Sequence, residues 1–187
     1  MKKHIYQLFV VFSLLFSAGL VFNSCSDSDD EMEEMMGKDN PDDMKGDGGT
    51  AAPDFSLTAL DGSSVSLSDY DNKVLVMFFF GNSCPSCKAA APGVQSKIAD
   101  AYASNSNVQV IGLDQWDGNS SSVQGFKNTT NVTFPLLLKA SSVASKYNTT
   151  YDRLIVVDQQ GNIKFKGTQG ASKDIDNTLS TISNLLQ

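Results

Sequence analysis

The stretch FFFGNSCPSCKAAAP, residues 78–92, places Cys84 and Cys87 directly after a strongly apolar segment. That segment ends the run VLVMFFF, residues 74–80, whose β-branched and aromatic side chains predict a strand buried on both faces. The residues after the cysteines predict a helix over residues 85–104, kinked by a proline inside it. A cysteine pair at this junction is compatible with a redox centre, half of a metal site or a structural disulfide.

The position of the pair at a helix start favours the redox role. A thiol there faces unpaired backbone N–H groups and the positive end of the helix dipole, which stabilise the thiolate. Cys84 would then attack a disulfide, and the more buried Cys87 would resolve the mixed disulfide. Pro85 suits the first turn of a helix because its missing N–H costs little there. A structural disulfide stays open as an alternative, although so small a ring constrains the unfolded chain little.

The sequence offers few partners for a metal. The chain has three cysteines and one histidine, His4, near its N-terminus. A zinc site needs four donors, and the pair supplies two, so we expect no metal here and no cofactor. If His4 is removed with a signal peptide, Cys–His and Ser–His–Asp catalysis are excluded as well.

Residues 1–24 have the layout of a secretory signal peptide. Two lysines precede an apolar run from Leu8 to Phe22, which is short for a stable membrane span, and two polar residues lead to Cys25. The end of this segment resembles a bacterial lipobox, although Phe22 stands where a smaller aliphatic residue is usual. The resemblance implies that Cys25 becomes the first residue of the mature protein and carries a lipid. An ordinary cleaved signal is the alternative.

The net charge of −7 is concentrated in one segment. Residues 26–50 carry seven Asp, three Glu and two Lys with no aromatic residue, so we predict a lipidated Cys25 and a disordered acidic tether over residues 25–50. The run SDSDDE resembles the acidic signals that send some lipoproteins to the cell surface. We therefore expect a cell-envelope lipoprotein that faces the periplasm or lies at the outer membrane surface. The remaining chain is nearly neutral, which argues against a nucleic-acid partner.

Residues 51–187 read as one α/β domain. An Asp-Gly turn predicts an N-terminal hairpin of residues 55–59 and 65–67, and buried strands are predicted at 74–80 and 108–114. Helix and strand patterns then alternate until a closing hairpin and a C-terminal amphipathic helix. The first half is βαβ and the end is antiparallel, so the order predicts a mixed central sheet.

This domain resembles the thioredoxin-like proteins of the TlpA type, within the superfamily that also holds the peroxiredoxins. The likeness is carried by the opening APDFSLTALDGSSVSLSDYDNK, the CPSC sequence, Pro92 in the following helix and the closing LIVVDQQGNIKFKGTQG. It implies a thioredoxin-like α/β/α sandwich and a thiol–disulfide oxidoreductase whose redox-active residues are Cys84 and Cys87. Its partners would be exported proteins with thiols or disulfides, and a membrane electron donor.

Three positions depart from the family pattern. Ser83 replaces a tryptophan, Phe78 replaces a buried acid, and Asp152 stands where the family has a cis-proline that borders the substrate. A cis bond before a residue other than proline costs about 3 kcal/mol, so we predict a trans bond at Tyr151–Asp152. The resemblance makes Tyr151, Asp152 and Arg153 the candidate substrate-binding residues, and a guanidinium that reached the first cysteine would favour its thiolate.

Two other functions stay open. A thiol peroxidase is one, although Met77 and Gly81 stand where the peroxiredoxin pattern has proline and threonine. The other is a binding module that kept the fold and lost redox turnover, an interpretation favoured by Phe78, Ser83 and Asp152.

Overall fold

The computed structural model describes residues 49–187; the predicted signal peptide, Cys25 and nearly all of the predicted tether lie outside this range. The strands are β1 (Thr50–Ala51), β2 (Ser56–Thr58), β3 (Ser64–Ser66), β4 (Val74–Phe80), β5 (Val108–Asp114), β6 (Leu136–Leu137), β7 (Arg153–Val157) and β8 (Asn162–Lys166). The α-helices are α1 (Pro85–Val94), α2 (Ser120–Thr130), α3 (Ser141–Lys146) and α4 (Ala171–Leu185). A 3₁₀ turn spans Leu67–Tyr70 and a π-helical turn spans Gln95–Ala99.

Six strands form one mixed sheet in the order β1-β8-β7-β4-β5-β6. Strand β4 lies in the middle, parallel to β5 on one side and antiparallel to β7 on the other. The pair β2 and β3 forms a separate antiparallel hairpin. The predicted α/β class, the mixed sheet and the N-terminal hairpin are confirmed.

Alternate residues of β4 enter two apolar layers. Phe78 and Phe80 pack with α1, α2 and α4 on one face of the sheet, while Met77 and Phe79 pack with α3 and the N-terminal hairpin on the other. Every residue of β4 is buried. The sheet therefore lies between two layers, and β4 carries the chain to the start of α1 at one edge.

The helix predicted over residues 85–104 is shorter than expected. Regular α-helix ends at Val94, and a π-helical turn follows in which Asp100 N–H donates to Gln95 O at 2.8 Å. Pro92 lies inside α1 and offers no N–H to the preceding turn, which disturbs the regular hydrogen-bond pattern at this point.

Thr50, one residue before the predicted start of the domain, pairs with Ile163 of β8. Within residues 49–187, no helix combines the length and the apolar character that crossing a membrane requires.

The Tyr147 hydroxyl provides a test of packing in the layer that contains Met77 and Phe79. It is buried and makes no hydrogen bond within residues 49–187, and burial, with a smaller effect of the Asp54 charge, raises its pKa. We expect Tyr147→Phe to increase the free energy of unfolding by about 1 kcal/mol, because an unpaired buried hydroxyl is removed. A raised pKa makes the native state lose stability as pH rises above about 10, so the variant should lose less stability there than the wild type.

Urea denaturation at pH 7 and pH 10.5 measures both effects. Tyr102→Phe, at a half-buried position, is the matched control and should change little. A Tyr147→Phe variant less stable than the wild type at both pH values would contradict this interpretation.

Candidate active site

Cys84 and Cys87 lie where β4 passes into α1 and are joined by a disulfide, with their Cα atoms 5.3 Å apart. A turn closed by Cys84 N–H and Gly81 O at 3.0 Å brings the chain from the strand to the helix. The two cysteines are 1% and 0% exposed. The predicted redox pair therefore occupies the predicted helix start, but even its first sulfur is almost entirely covered.

Backbone and hydroxyl groups surround the two sulfurs. Cys84 is the N-cap of α1, and its Sγ accepts from Cys87 N–H at 3.1 Å. Ser86 Oγ lies 3.2 Å from the same sulfur, and Gly81 N–H donates to Cys87 Sγ at 3.5 Å. When the disulfide is reduced, an N–H and the helix dipole at Cys84 favour a thiolate over a thiol.

Asp114, at the end of β5, organises the edge of the sheet beside the disulfide. It is 0% exposed, and its carboxylate accepts from the backbone N–H groups of Asn82 (3.1 Å), Trp116 (3.3 Å) and Gly118 (2.6 Å). Asn82 Nδ2 donates to both of its oxygens as well. The carboxylate approaches this closely because residue 118 is a glycine, where a Cβ would lie 2.8 Å from Asp114 Oδ2.

Sequence reasoning assigned no role to Asp114. The available signal was an acidic residue that ends a buried strand parallel to β4, since such strand ends meet at one edge of the sheet.

Trp116 covers the turn before the disulfide. A Cβ at Gly81 would lie 2.5 Å from the indole ring, so the ring rests directly on the Gly81 backbone. Gly81 is the residue that donates to Cys87 Sγ. Ser83, at the position where the family carries a tryptophan, is exposed, and the tryptophan at this site comes instead from the loop after β5.

The three predicted substrate-binding residues lie where the chain enters β7, which begins at Arg153, and two of them are engaged within the protein. Asp152 follows a trans peptide bond, as predicted, and has a φ of 57°. Its carbonyl accepts from Ala171 N–H at 3.0 Å and from Arg153 Nη1 at 2.8 Å, and its carboxylate accepts from Ala171 N–H at 3.3 Å. Asp152 thus stabilises the N-terminus of α4, and the Arg153 guanidinium binds a carbonyl oxygen rather than the sulfur of Cys84.

The remaining residues around the site supply packing. Phe78 is 0% exposed and stacks on Phe80 with 5.9 Å between ring centroids. The layer between the sheet and helices α1, α2 and α4 is therefore apolar at this position. Within residues 49–187, no three His, Cys, Asp or Glu side chains are close enough together to hold a metal ion.

The sequence profile of the AhpC/TSA family matches residues 48–166. The chain belongs to the AhpC/TSA family. It is 29% identical over 117 residues to the thioredoxin-like protein YneN of Bacillus subtilis, a match that covers 62% of this chain and 68% of that protein. It is 28% identical over 138 residues to the thiol-disulfide oxidoreductase ResA of Geobacillus kaustophilus, covering 72% and 77%.

A candidate protein disulfide isomerase from Bacteroides thetaiotaomicron has a similar solution structure, with a TM-score of 0.67 and 27% identity. The superposition covers 74% of this chain and 89% of that one. The thioredoxin-like fold is confirmed, and these relatives support the assignment of the protein as an oxidoreductase.

The hydrogen bonds of Asp114 predict a large effect of a small substitution. Asp114→Asn should reduce the free energy of unfolding by about 3 kcal/mol, because an amide N–H₂ would face N–H donors and leave at least one of them unpaired. Thermal or urea unfolding measures the loss. Asp176→Asn, at an exposed position of α4, is the control and should fall within about 0.5 kcal/mol of the wild type. Equal stability of the two variants would refute the role given to Asp114.

Proposed function

We propose that the protein exchanges thiols and disulfides with other exported proteins through the Cys84–Cys87 pair. The observation that carries the proposal is the disulfide at the start of α1, with a backbone N–H directed at Cys84 Sγ. An N-terminal helix position of this kind favours the thiolate, which is the attacking species in disulfide exchange. Membership of the AhpC/TSA family and similarity to a thiol-disulfide oxidoreductase add support.

The exchange proceeds in two substitutions at sulfur. The Cys84 thiolate of the reduced protein attacks a client disulfide, so a bond forms from Cys84 Sγ to one client sulfur and the other client sulfur leaves as a thiolate. The Cys87 thiolate then attacks Cys84 Sγ, closes the Cys84–Cys87 disulfide and releases the second client thiolate. The client gains two electrons and the protein loses two, and both client thiolates take protons from water. The reverse sequence oxidises a client dithiol, and the relative reduction potentials set the direction.

The burial of the pair defines what a client must do. Because Cys84 is 1% exposed, a client sulfur reaches it only when neighbouring side chains move aside. When a client thiolate attacks Cys84 Sγ of the oxidised protein, it must approach from the side opposite Cys87 Sγ, in line with the sulfur–sulfur bond that breaks. A client is therefore held beside the pair before it reacts.

The proposed setting is the cell envelope. The signal-peptide layout, the lipobox-like close at Cys25 and the acidic segment support a protein held to a membrane by lipid on Cys25, where exported proteins carry disulfides. A membrane electron donor would return the pair to its reduced form after each exchange.

The catalytic assignment predicts separate effects for the two cysteines. We expect the wild type to accelerate reduction of insulin by dithiothreitol, and Cys84→Ser to lose at least about 100-fold because the attacking thiol is removed and Cys87 is 0% exposed. Cys87→Ser should accumulate a mixed disulfide between Cys84 and insulin, which non-reducing electrophoresis and mass spectrometry detect. Ser172→Ala, at an exposed position of α4, is the control and should retain activity within a few fold.

Failure of the wild type to accelerate reduction of either insulin or glutathione disulfide would rule out the exchange function. Consumption of hydrogen peroxide that depends on Cys84, together with that failure, would instead support a thiol peroxidase.

Lipidation at Cys25 predicts a change of cell fraction. The wild type should sediment with membranes and release a detergent-soluble, lipid-bearing protein. Cys25→Ser should move to the soluble envelope fraction, because the site of acylation is lost. Ser24→Ala, next to it, is the control and should remain with the membranes. A Cys25→Ser protein that still sediments with membranes would contradict a lipid anchor.

A further inference from the structure

Two exposed aromatic side chains form a surface beside the disulfide. The exchange chemistry itself does not use this surface. Trp116 is 43% exposed and Tyr151 is 40% exposed, and they are the exposed large hydrophobic residues of the described chain. Their rings meet edge to face with centroids 5.1 Å apart. We call this pair, Trp116 and Tyr151, the aromatic shelf.

The shelf is fixed next to the reacting sulfurs. The indole of Trp116 rests on Gly81, whose N–H donates to Cys87 Sγ. The backbone N–H of Trp116 donates to Asp114, which also binds Asn82. These contacts hold the ring without covering its outer face. Exposed aromatic rings held in place in this way provide large contact areas at little entropic cost.

The main chain at Asp152 is poorly suited to hold a client. A carbonyl oxygen accepts about two hydrogen bonds, and that of Asp152 already accepts from Ala171 N–H and Arg153 Nη1. A client strand that paired there would have to displace one of these donors. The Asp152 carbonyl is thus unavailable to a client, and the exposed side chain of Tyr151 next to it is available.

The exposed residues next to the cysteines are uncharged: they are Ser83, Pro85 and Ser86. The carboxylates next to the shelf belong to Asp117 and Asp152, and both accept hydrogen bonds from within the protein. A client segment that extends from the cysteines to the shelf therefore meets uncharged side chains first and the apolar shelf beside them.

We propose that the aromatic shelf binds the client segment that carries the reacting cysteine, and that it selects clients with an aromatic or large aliphatic side chain adjacent to that cysteine. The occupant is an extended, uncharged, apolar segment of an unfolded or flexible exported protein. This inference rests on the proposed exchange function and adds a substrate preference to it. Gly81 O accepts from Cys84 N–H at 3.0 Å, and the Trp116 ring rests on Gly81, so the shelf is within reach of a residue that neighbours a client sulfur at Cys84.

The test compares small disulfides that differ at one side chain. Full-length protein is reduced, freed of reductant and mixed with the disulfide dimer of acetyl-Gly-Phe-Cys-Gly-amide, with the corresponding Ser peptide, or with glutathione disulfide. We expect the wild type to react with the Phe peptide about tenfold faster than with the Ser peptide. Trp116→Ala should reduce this ratio to about two or less, and the rates of each variant are divided by its own rate toward glutathione disulfide so that a general loss of reactivity cancels.

Matched variants separate recognition from general damage. Trp116→Phe keeps a ring and should restore most of the preference, and Tyr151→Ala should weaken it. Tyr102→Ala removes an aromatic ring near the start of β5, at the opposite end of the strand from the disulfide, and should leave the ratio unchanged. If circular dichroism shows that Trp116→Ala does not fold, Tyr151→Ala and Trp116→Phe carry the comparison.

An equilibrium measurement gives a second readout. Trp116 is the only tryptophan of the chain, so its emission reports contact with the shelf directly. In a Cys84→Ser, Cys87→Ser protein, which cannot react, a Phe peptide with its cysteine replaced by serine should shift the emission at concentrations where the matched Ser peptide does not.

The outcomes distinguish the two proposals. Reaction with glutathione disulfide but equal rates for the two peptides, or a preference that survives both Trp116→Ala and Tyr151→Ala, overturns the role of the shelf and leaves the exchange function intact. Reaction with none of the three disulfides overturns the exchange function and the shelf together.

Discussion

The complete burial of β4 is the constraint on which the rest of the domain depends. Both faces of this strand are covered, so each of its residues must be apolar, and the strand cannot itself contribute a polar group to the site at its end. The site is therefore assembled from neighbouring segments. The cysteines come from the helix that follows, the buried carboxylate comes from β5, and the aromatic surface comes from the loops after β5 and before β7.

Asp114 shows how one buried charge is made tolerable in that setting. Its carboxylate accepts from three backbone N–H groups and from an asparagine side chain, so the cost of removing the charge from water is offset by charge-assisted hydrogen bonds. These donors belong to the segments on either side of the site. The turn before the cysteines and the loop that carries Trp116 are consequently positioned by the same group.

The sequence was sufficient where structure follows from local pattern. The seven apolar residues of β4, the Asp-Gly turn of the first hairpin and the amphipathic period of α4 each carry their own signal, and all three elements are present. Strand β1 was not predicted because a two-residue strand has no periodicity, and its hydrogen bonds come from β8. The contact of Trp116 with Gly81 is likewise a property of two parallel strand ends that meet, which no local pattern contains.

Asp152 illustrates a departure that could be detected in the sequence but not interpreted there. The missing proline was visible from the spacing to the closing hairpin. The role of the aspartate follows only from the structure, in which Ala171 N–H, at the start of α4, donates to it. An aspartate at that place also suits the positive end of the helix dipole.

The backbone at Asp152 limits which residues this position accepts. Its φ of 57° lies in a region that Asp tolerates and that the proline ring, fixed near −65°, cannot enter. A proline at this position would force the loop onto another path, and Ala171 N–H would lose the carboxylate of Asp152 as an acceptor. The loop before β7, the start of α4 and Asp152 are therefore interdependent, and a change in one of them is accommodated only by changes in the other two.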